Sequence, residues 1–290
     1  MTEIQITVQD WRSEHPSATR SEPAAQLAYA LSAVHCQGCR GYHAIWPYLR
    51  LIDPPRGVDA DRDLLLKTLA PLLDTGSTVL LAGSADAGLA ECVLDAAADQ
   101  PVDLTVVDLC DTPLRQCAGL LGSRAAGRLF TKRASITGQA VAPPVDLIVA
   151  HSVLSFLSAD NLVKAAAFID RSLRPAGRLV MTTAIGRRTP TTNRAFFRRH
   201  VLTELAARSV ALPDDELAFT TLLDAYALGR EQRASPFADR DALLQWLNAA
   251  GLSVETIQEL RRGTGFDSRG DPILRPSEGV LVVARKDLAG

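Results

Sequence analysis

From Thr78 onward the chain alternates short, continuous apolar runs with longer amphipathic stretches. That alternation confines it to an α/β fold whose sheet is buried on both faces. Thr78 to Ala82, Leu104 to Leu109, Arg128 to Arg133, Asp146 to Ala150 and Arg178 to Thr183 read as strands. Leu89 to Ala98, Pro113 to Leu121 and Asn161 to Leu173 read as helices between them. Strands joined through helices run parallel, so the expectation is a Rossmann-like doubly wound sheet that takes ligands beyond the carboxyl ends of its strands. Residues 187–235 interrupt the alternation with helical, basic sequence that includes Arg194, Arg198, Arg199 and His200, and form an insertion after the fifth strand. A helix from Asp239 to Ala250 follows, then strands at Ser253 to Leu260 and Gly279 to Arg285. With no helix between them, these last two strands must pair antiparallel and complete a seven-stranded sheet.

Ahead of the sheet, Ser21 to Val34 has helical spacing, and Cys39 to Leu51 reads as a second helical stretch bent or divided at Pro47. The breaker cluster Asp53-Pro54-Pro55-Arg56-Gly57 precedes a helix over Asp61 to Leu73. The chain therefore divides into an amino-terminal helical cap, 1–60, and a main domain, 61–290, carrying the insertion 187–235. With 290 residues, 47% of them hydrophobic and 22% charged, it has the material for a sizeable core. A net charge of -2 supplies no positive field for nucleic acid or an acidic membrane. No signal-peptide core and no run long enough to span a bilayer are present, which implies a cytoplasmic protein without membrane partners. Five cysteines, Cys36, Cys39, Cys92, Cys110 and Cys117, read there as free thiols.

Two features carry ligand chemistry. Ala82-Gly83-Ser84-Ala85-Asp86-Ala87-Gly88 forms a turn between the first strand and its helix, where backbone N–H groups can approach a ligand. Asp108, ending the second strand, can accept from ribose hydroxyls; Asp108→Ala is expected to weaken binding with little loss of folding. Cys110 follows closely, either touching the ligand or packing as a small core residue. Cys36, Cys39 and His43 are zinc-ligand types. A structural zinc site needs four ligands, however, and no second Cys/His pair lies at useful spacing, so no metal is expected.

The turn, Asp108, Val145-Asp146-Leu147-Ile148-Val149-Ala150-His151-Ser152-Val153-Leu154-Ser155-Phe156-Leu157, Leu173-Arg174-Pro175-Ala176-Gly177-Arg178-Leu179-Val180-Met181 and the terminal strand pair resemble, in order and spacing, the class I S-adenosylmethionine-dependent methyltransferases. The resemblance implies S-adenosyl-L-methionine as cofactor, held by Ala82, Gly83, Ser84, Asp86, Asp108, Leu109, Ser135, Ile136, Ala150 and His151, and methyl transfer to a small-molecule acceptor. The glycine-rich turn departs from the family pattern, with Leu81 at its acidic place and Ala85 and Ala87 at its second and third glycines. Gly88 could restore the lost freedom one position later, and Asp86 could meet the methionyl ammonium.

On a continuous helix Cys39, Tyr42, His43, Trp46 and Arg50 share one face. In the family such amino-terminal helices often cover the acceptor, so Tyr42, His43, Trp46 and Arg50 are expected to bind substrate; packing of Tyr42 and Trp46 on the core is the plainer alternative. His43 and His151 are the expected general base or orienting pair, since imidazole titrates near neutrality; a capping His151 and a packed His43 are the plainer readings. Two rival functions stand beside methyl transfer: a NAD-dependent oxidoreductase, and a non-catalytic cofactor-binding protein on a methyltransferase scaffold. Homodimerisation is left open.

Overall fold

The computed structural model describes residues 17–53, 55–98, 100–141, 143–186, 194–231, 233, 235–262, 265–266, 272–273 and 277–287. Five parallel strands form the centre: β1 (Thr78–Ala82), β2 (Asp103–Asp108), β3 (Leu129–Arg133), β4 (Val145–His151) and β5 (Leu173–Ala184). Beyond them lie β6 (Leu252–Arg262), the two-residue β7 (Gly265–Phe266) and β8 (Pro272–Ile273), which pair with each other, and β9 (Ser277–Lys286). The main sheet has seven strands in the order β3-β2-β1-β4-β5-β9-β6, with β9 antiparallel to both β5 and β6. That terminal arrangement is the expected one and departs from the 3-2-1-4-5-6 order of the dinucleotide-binding fold.

The period of two along β1 assigns its side chains to two cores. Val79 and Leu81 face one layer, where they pack with Leu65 and Leu69 of α4 (Val58–Leu69), Val93 of α5 (Gly88–Ala97) and Leu114 of α6 (Asp111–Leu121). Leu80 and Ala82 face the other, against Phe168 and Ile169 of α7 (Ala159–Ser172) and Leu243 and Leu247 of α10 (Arg240–Ala249). Each such aliphatic or aromatic side chain contributes about 1.5–3 kcal/mol by leaving water.

A third core lies outside this sandwich. It joins α1 (Glu22–His35), α2 (Arg40–His43) and α3 (Trp46–Arg50) to the insertion helices α8 (Arg194–Ala207) and α9 (Glu216–Glu231) through Ile45, Tyr48, Leu49, Phe197, Leu205 and Phe219. Cap and insertion thus share one apolar interior, although the sequence separates them. Part of the insertion, 187–193, lies outside the described residues.

The helical stretch from Cys39 to Leu51 is divided, but at Ala44 and Ile45 rather than at Pro47. Pro47 stands in the first turn of the second piece, where its missing N–H has no helical partner to lose. The break therefore precedes the proline. β5 starts at Leu173 rather than Arg178, because the register shifts between Val145 and Leu147 and the strand resumes pairing at Arg178.

Candidate active site

Gly83 follows β1 in a left-handed conformation, φ +83°, and a Cβ there would stand 2.4 Å from Val153 Cγ2. Both facts demand glycine. The turn is tied to the next strand, since Asp108 accepts from Ser84 N at 3.0 Å and from Cys110 N at 2.8 Å, one bond to each carboxylate oxygen. Burial pushes the Asp108 carboxyl up, and those two N–H groups oppose the push. Leu109, next in sequence, is 67% exposed, an apolar side chain presented at the carboxyl edge of the sheet. Beyond β3, Ser135 Oγ accepts from Thr137 N at 3.0 Å, while Ile136 is buried in the core shared with Ala82 and Ala150.

Arg50 and Asp86 are both buried and pair with each other. Arg50 is fully buried and forms a bidentate pair with Asp59, Nε to Oδ2 at 2.7 Å and Nη2 to Oδ1 at 2.8 Å, while its Nη1 reaches Asp86 Oδ2 at 3.0 Å. Burial alone would weaken its charge, but the two carboxylates hold it protonated. The other Asp86 oxygen accepts from Gly88 N at 2.7 Å. Arg50 also fills the space beside Gly88, where a Cβ would meet Nη1 at 2.6 Å. Gly88 therefore admits a guanidinium rather than restoring backbone freedom, and Asp86 neutralises a cation of the protein itself. A strap at Ser17 to Thr19 completes this corner, with Ala18 N at 2.9 Å from Glu91 Oε1 and Thr19 Oγ1 at 2.8 Å from Glu91 Oε2.

The two histidines have separate partners. His151, at the end of β4, places Nε2 2.8 Å from Oδ2 of Asp61, a buried carboxylate on α4. No sequence signal marks Asp61, because α4 belongs to a different part of the chain. His43 is buried and turned toward thiols: its Nδ1 lies 3.4 Å from Cys36 Sγ, which in turn lies 3.5 Å from Cys110 Sγ. The ligand atoms of Cys36, Cys39, His43 and Cys110 all lie within 4.8 Å of one another. The fourth ligand type missing from the local sequence thus comes from 74 residues beyond Cys36, carried to the cap by the end of β2. Within the cluster, hydrogen bonds from Cys36 and His43 pull the Cys39 thiol down to about 3. Burial acts to depress His43, but hydrogen bonds with Cys110 and Cys39 prevail and hold it at about 9.

Tyr42 and Trp46 do come together, stacked at 5.9 Å and 15°. Tyr42 also stacks on Tyr226 of α9 at 5.8 Å and meets Phe156 edge-on at 5.4 Å. Arg233 lies over the Phe156 ring, 3.9 Å from its centroid, and over Tyr42 at 4.8 Å. Tyr42, Phe156, Tyr226 and Arg233 border a cleft of about 550 Å³ between the cap, the insertion and the segment that follows β4. Tyr42 and Arg233 line it, whereas His43, Trp46, Arg50 and His151 do not. The shared face expected for Tyr42, His43, Trp46 and Arg50 is divided because the helix breaks within it.

No protein-family model matches the chain, and no curated protein sequence matches it. Among solved structures, the 1,6-didemethyltoxoflavin-N1-methyltransferase of Burkholderia thailandensis, with 1,6-didemethyltoxoflavin and S-adenosylhomocysteine bound, aligns at TM-score 0.53 and 16% identity over 99% of this chain and 93% of its own. The YcgJ protein of Bacillus subtilis aligns at TM-score 0.52 and 13% identity, covering 79% and 99%. The [4+2]-cyclase SpnF aligns at TM-score 0.53 and 15% identity, covering 92% and 94%. The fold is that of the class I S-adenosylmethionine-dependent methyltransferases. At these identities the likeness establishes the fold alone, and a cyclase stands beside the methyltransferases. No helix of the described residues is long and apolar enough to cross a membrane.

Proposed function

We propose that the protein is an S-adenosylmethionine-dependent methyltransferase that acts on a small, flat acceptor. The observation that carries this reading is a cleft lined by Tyr42, Phe156 and Tyr226 and by residues 155–158 that follow β4, on a fold that takes ligands at the carboxyl ends of its strands. The residues fit the adenosyl half of the cofactor. Asp108 would accept from the ribose hydroxyls with lone pairs not used by Ser84 and Cys110, Leu109 would cover the adenine, and Ser135 and Ile136 would border it. The methionyl half meets Gly83 and the strand ends at Ala82 and Ala150. Its ammonium would rely on main-chain acceptors there, since Asp86 already serves Arg50.

When bound, the cofactor supplies a methyl group already made electrophilic by its sulfonium. The protein's part is to align the acceptor and exclude water. Tyr42 and Tyr226, which line the cleft, suit a planar acceptor, and Arg233 suits electron-rich or anionic substituents on it. Where the attacking atom carries a proton, His151, at the end of β4 and outside the cleft lining, would take it from an acceptor atom that reaches the strand end, with Asp61 orienting the ring and stabilising the imidazolium.

The test is calorimetric titration with S-adenosylmethionine, S-adenosylhomocysteine and NAD, followed by transfer of labelled methyl to a panel of flat heteroaromatic acceptors. Micromolar binding of the first two, no binding of NAD, and labelled product support the reading. Failure to bind either sulfur compound would reject it. Binding without transfer to any acceptor would favour the rival reading of a non-catalytic cofactor-binding protein. For a proton-bearing acceptor, Asp61→Asn should lower turnover by about a hundredfold while leaving cofactor affinity unchanged.

A further inference from the structure

The cluster of Cys36, Cys39, His43 and Cys110 lies where the cap meets the end of β2, outside both hydrophobic layers of the sheet, and we propose that it is a structural zinc site clamping the cap onto that strand end. A tetrahedral zinc ion, with Zn–S near 2.3 Å and Zn–N near 2.0 Å, sets its ligands roughly 3.5–3.8 Å apart. The separations of Cys36 Sγ from His43 Nδ1 and from Cys110 Sγ, 3.4 Å and 3.5 Å, are those of such edges, and all four ligand atoms fall within 4.8 Å.

Local structure explains why they converge. Gly38 adopts φ +90° between the two cap cysteines, turning the chain so that Cys36 and Cys39 can point to one side. One helical turn then returns His43 above Cys39, with His43 N 3.2 Å from Cys39 O. Cys110 arrives from the opposite direction, at the junction of β2 and α6. Thr112, fully buried, places Oγ1 3.2 Å from Cys36 Sγ, where its hydroxyl can donate to a metal-bound thiolate. All the cysteines here are free thiols. Three soft sulfurs and an imidazole select zinc over magnesium or calcium, and four protein ligands leave no open position for substrate, so the site is structural.

The site governs the cleft because its ligands adjoin the cleft walls. Cys39 and Gly38 line the aromatic cleft, while Cys110 N donates to the Asp108 carboxylate. One ion would hold the acceptor side and the adenosyl side in fixed relation. This inference does not rest on methyl transfer, since the geometry stands whatever the reaction.

The experiment is elemental analysis of protein produced in zinc-supplemented medium and purified under reducing conditions without chelator. About one equivalent of zinc is expected. Cys110→Ser and His43→Ala should each lose it, whereas Cys92→Ala and Cys117→Ala, which alter cysteines outside the cluster, should retain it. Because ligand variants can fail to fold, stripped wild-type protein is also titrated with cobalt(II). The expected outcome is intense visible d–d absorption of tetrahedral cobalt, with sulfur-to-metal charge transfer, saturating at about one equivalent. Thr112→Val should keep that spectrum and bind about tenfold more weakly. Wild-type protein without zinc that gives only the pale spectrum of octahedral cobalt would overturn the proposal, as would a disulfide among Cys36, Cys39 and Cys110 in zinc-replete protein.

Discussion

At the scale of single residues, the fates of Arg50 and Asp108 change what mutations should do. Arg50 holds two buried carboxylates, so Arg50→Met leaves Asp59 and Asp86 without a counter-charge and should cost about 3–5 kcal/mol in denaturant unfolding. Arg50→Lys should rescue only part of that loss, because an ammonium cannot reproduce the bidentate pair with Asp59. A variant as stable as wild type would show that the triad contributes nothing. Asp108 likewise has a structural task that the strand-end reading omits. Asp108→Ala strands the N–H groups of Ser84 and Cys110, at about 1–3 kcal/mol for each buried donor left unmade, so the expectation of intact folding gives way. Asp108→Asn, which keeps an oxygen acceptor, should unfold closer to wild type and still bind S-adenosylhomocysteine about 10- to 100-fold more weakly. Calorimetry beside a denaturation curve separates the two effects.

At the scale of elements, the turn after β1 is held by contact as much as by conformation. Gly83→Ala meets both a left-handed φ and the Val153 methyl group, and should destabilise by about 1–3 kcal/mol. Adding Val153→Ala removes the clash but not the backbone strain. The double variant should therefore recover part of the loss, and a double-mutant cycle with zero coupling would mean that the contact is not felt. Gly88→Ala is the converse case. The α5 backbone tolerates alanine, yet the new methyl group would displace the Arg50 guanidinium, so its cost should vanish when Arg50 is already replaced. The broken helix at Ala44 and Ile45 shows the same principle: burial of Ile45 in the third core and the turn of His43 toward the thiols outweigh continuity of a short helix.

At the scale of the whole molecule, cap and insertion behave as one body resting on the sheet. Phe219 lies at the centre of their shared core and meets the Tyr48 ring at 5.0 Å, edge to face. Phe219→Ala should cost about 3–5 kcal/mol locally and raise hydrogen exchange in residues 22–50 and 194–231, while β1 and β4 stay protected. Uniform loss of protection would instead mean that the three cores unfold together. Removal of zinc by a chelator should loosen the same segments and leave the sheet intact, since the metal joins the cap to the sheet at Cys110 alone among its ligands.

The central strands of the sheet were legible in the sequence because their signals are local, whereas the edge strand β3, exposed from Phe130 to Arg133, carries little of that signal. A strand buried on both faces must be apolar at nearly every position, as Val79, Leu80, Leu81 and Ala82 are, and no remote partner alters that requirement. The terminal antiparallel pair was legible too, from the missing helix between β6 and β9. The place of Asp108 at the end of β2 was legible as well, but not its two bonds to the N–H groups of Ser84 and Cys110. What the tertiary structure alone decided is the pairing of polar groups: Arg50 with Asp59 and Asp86, His151 with Asp61, and Cys110 with the cap cysteines and His43. Apolar burial is set by composition along a segment, whereas a buried charge or metal ligand is satisfied by whichever side chain the fold delivers within about 3–4 Å. That delivery depends on how the cap lies on the sheet, which no spacing within either segment records.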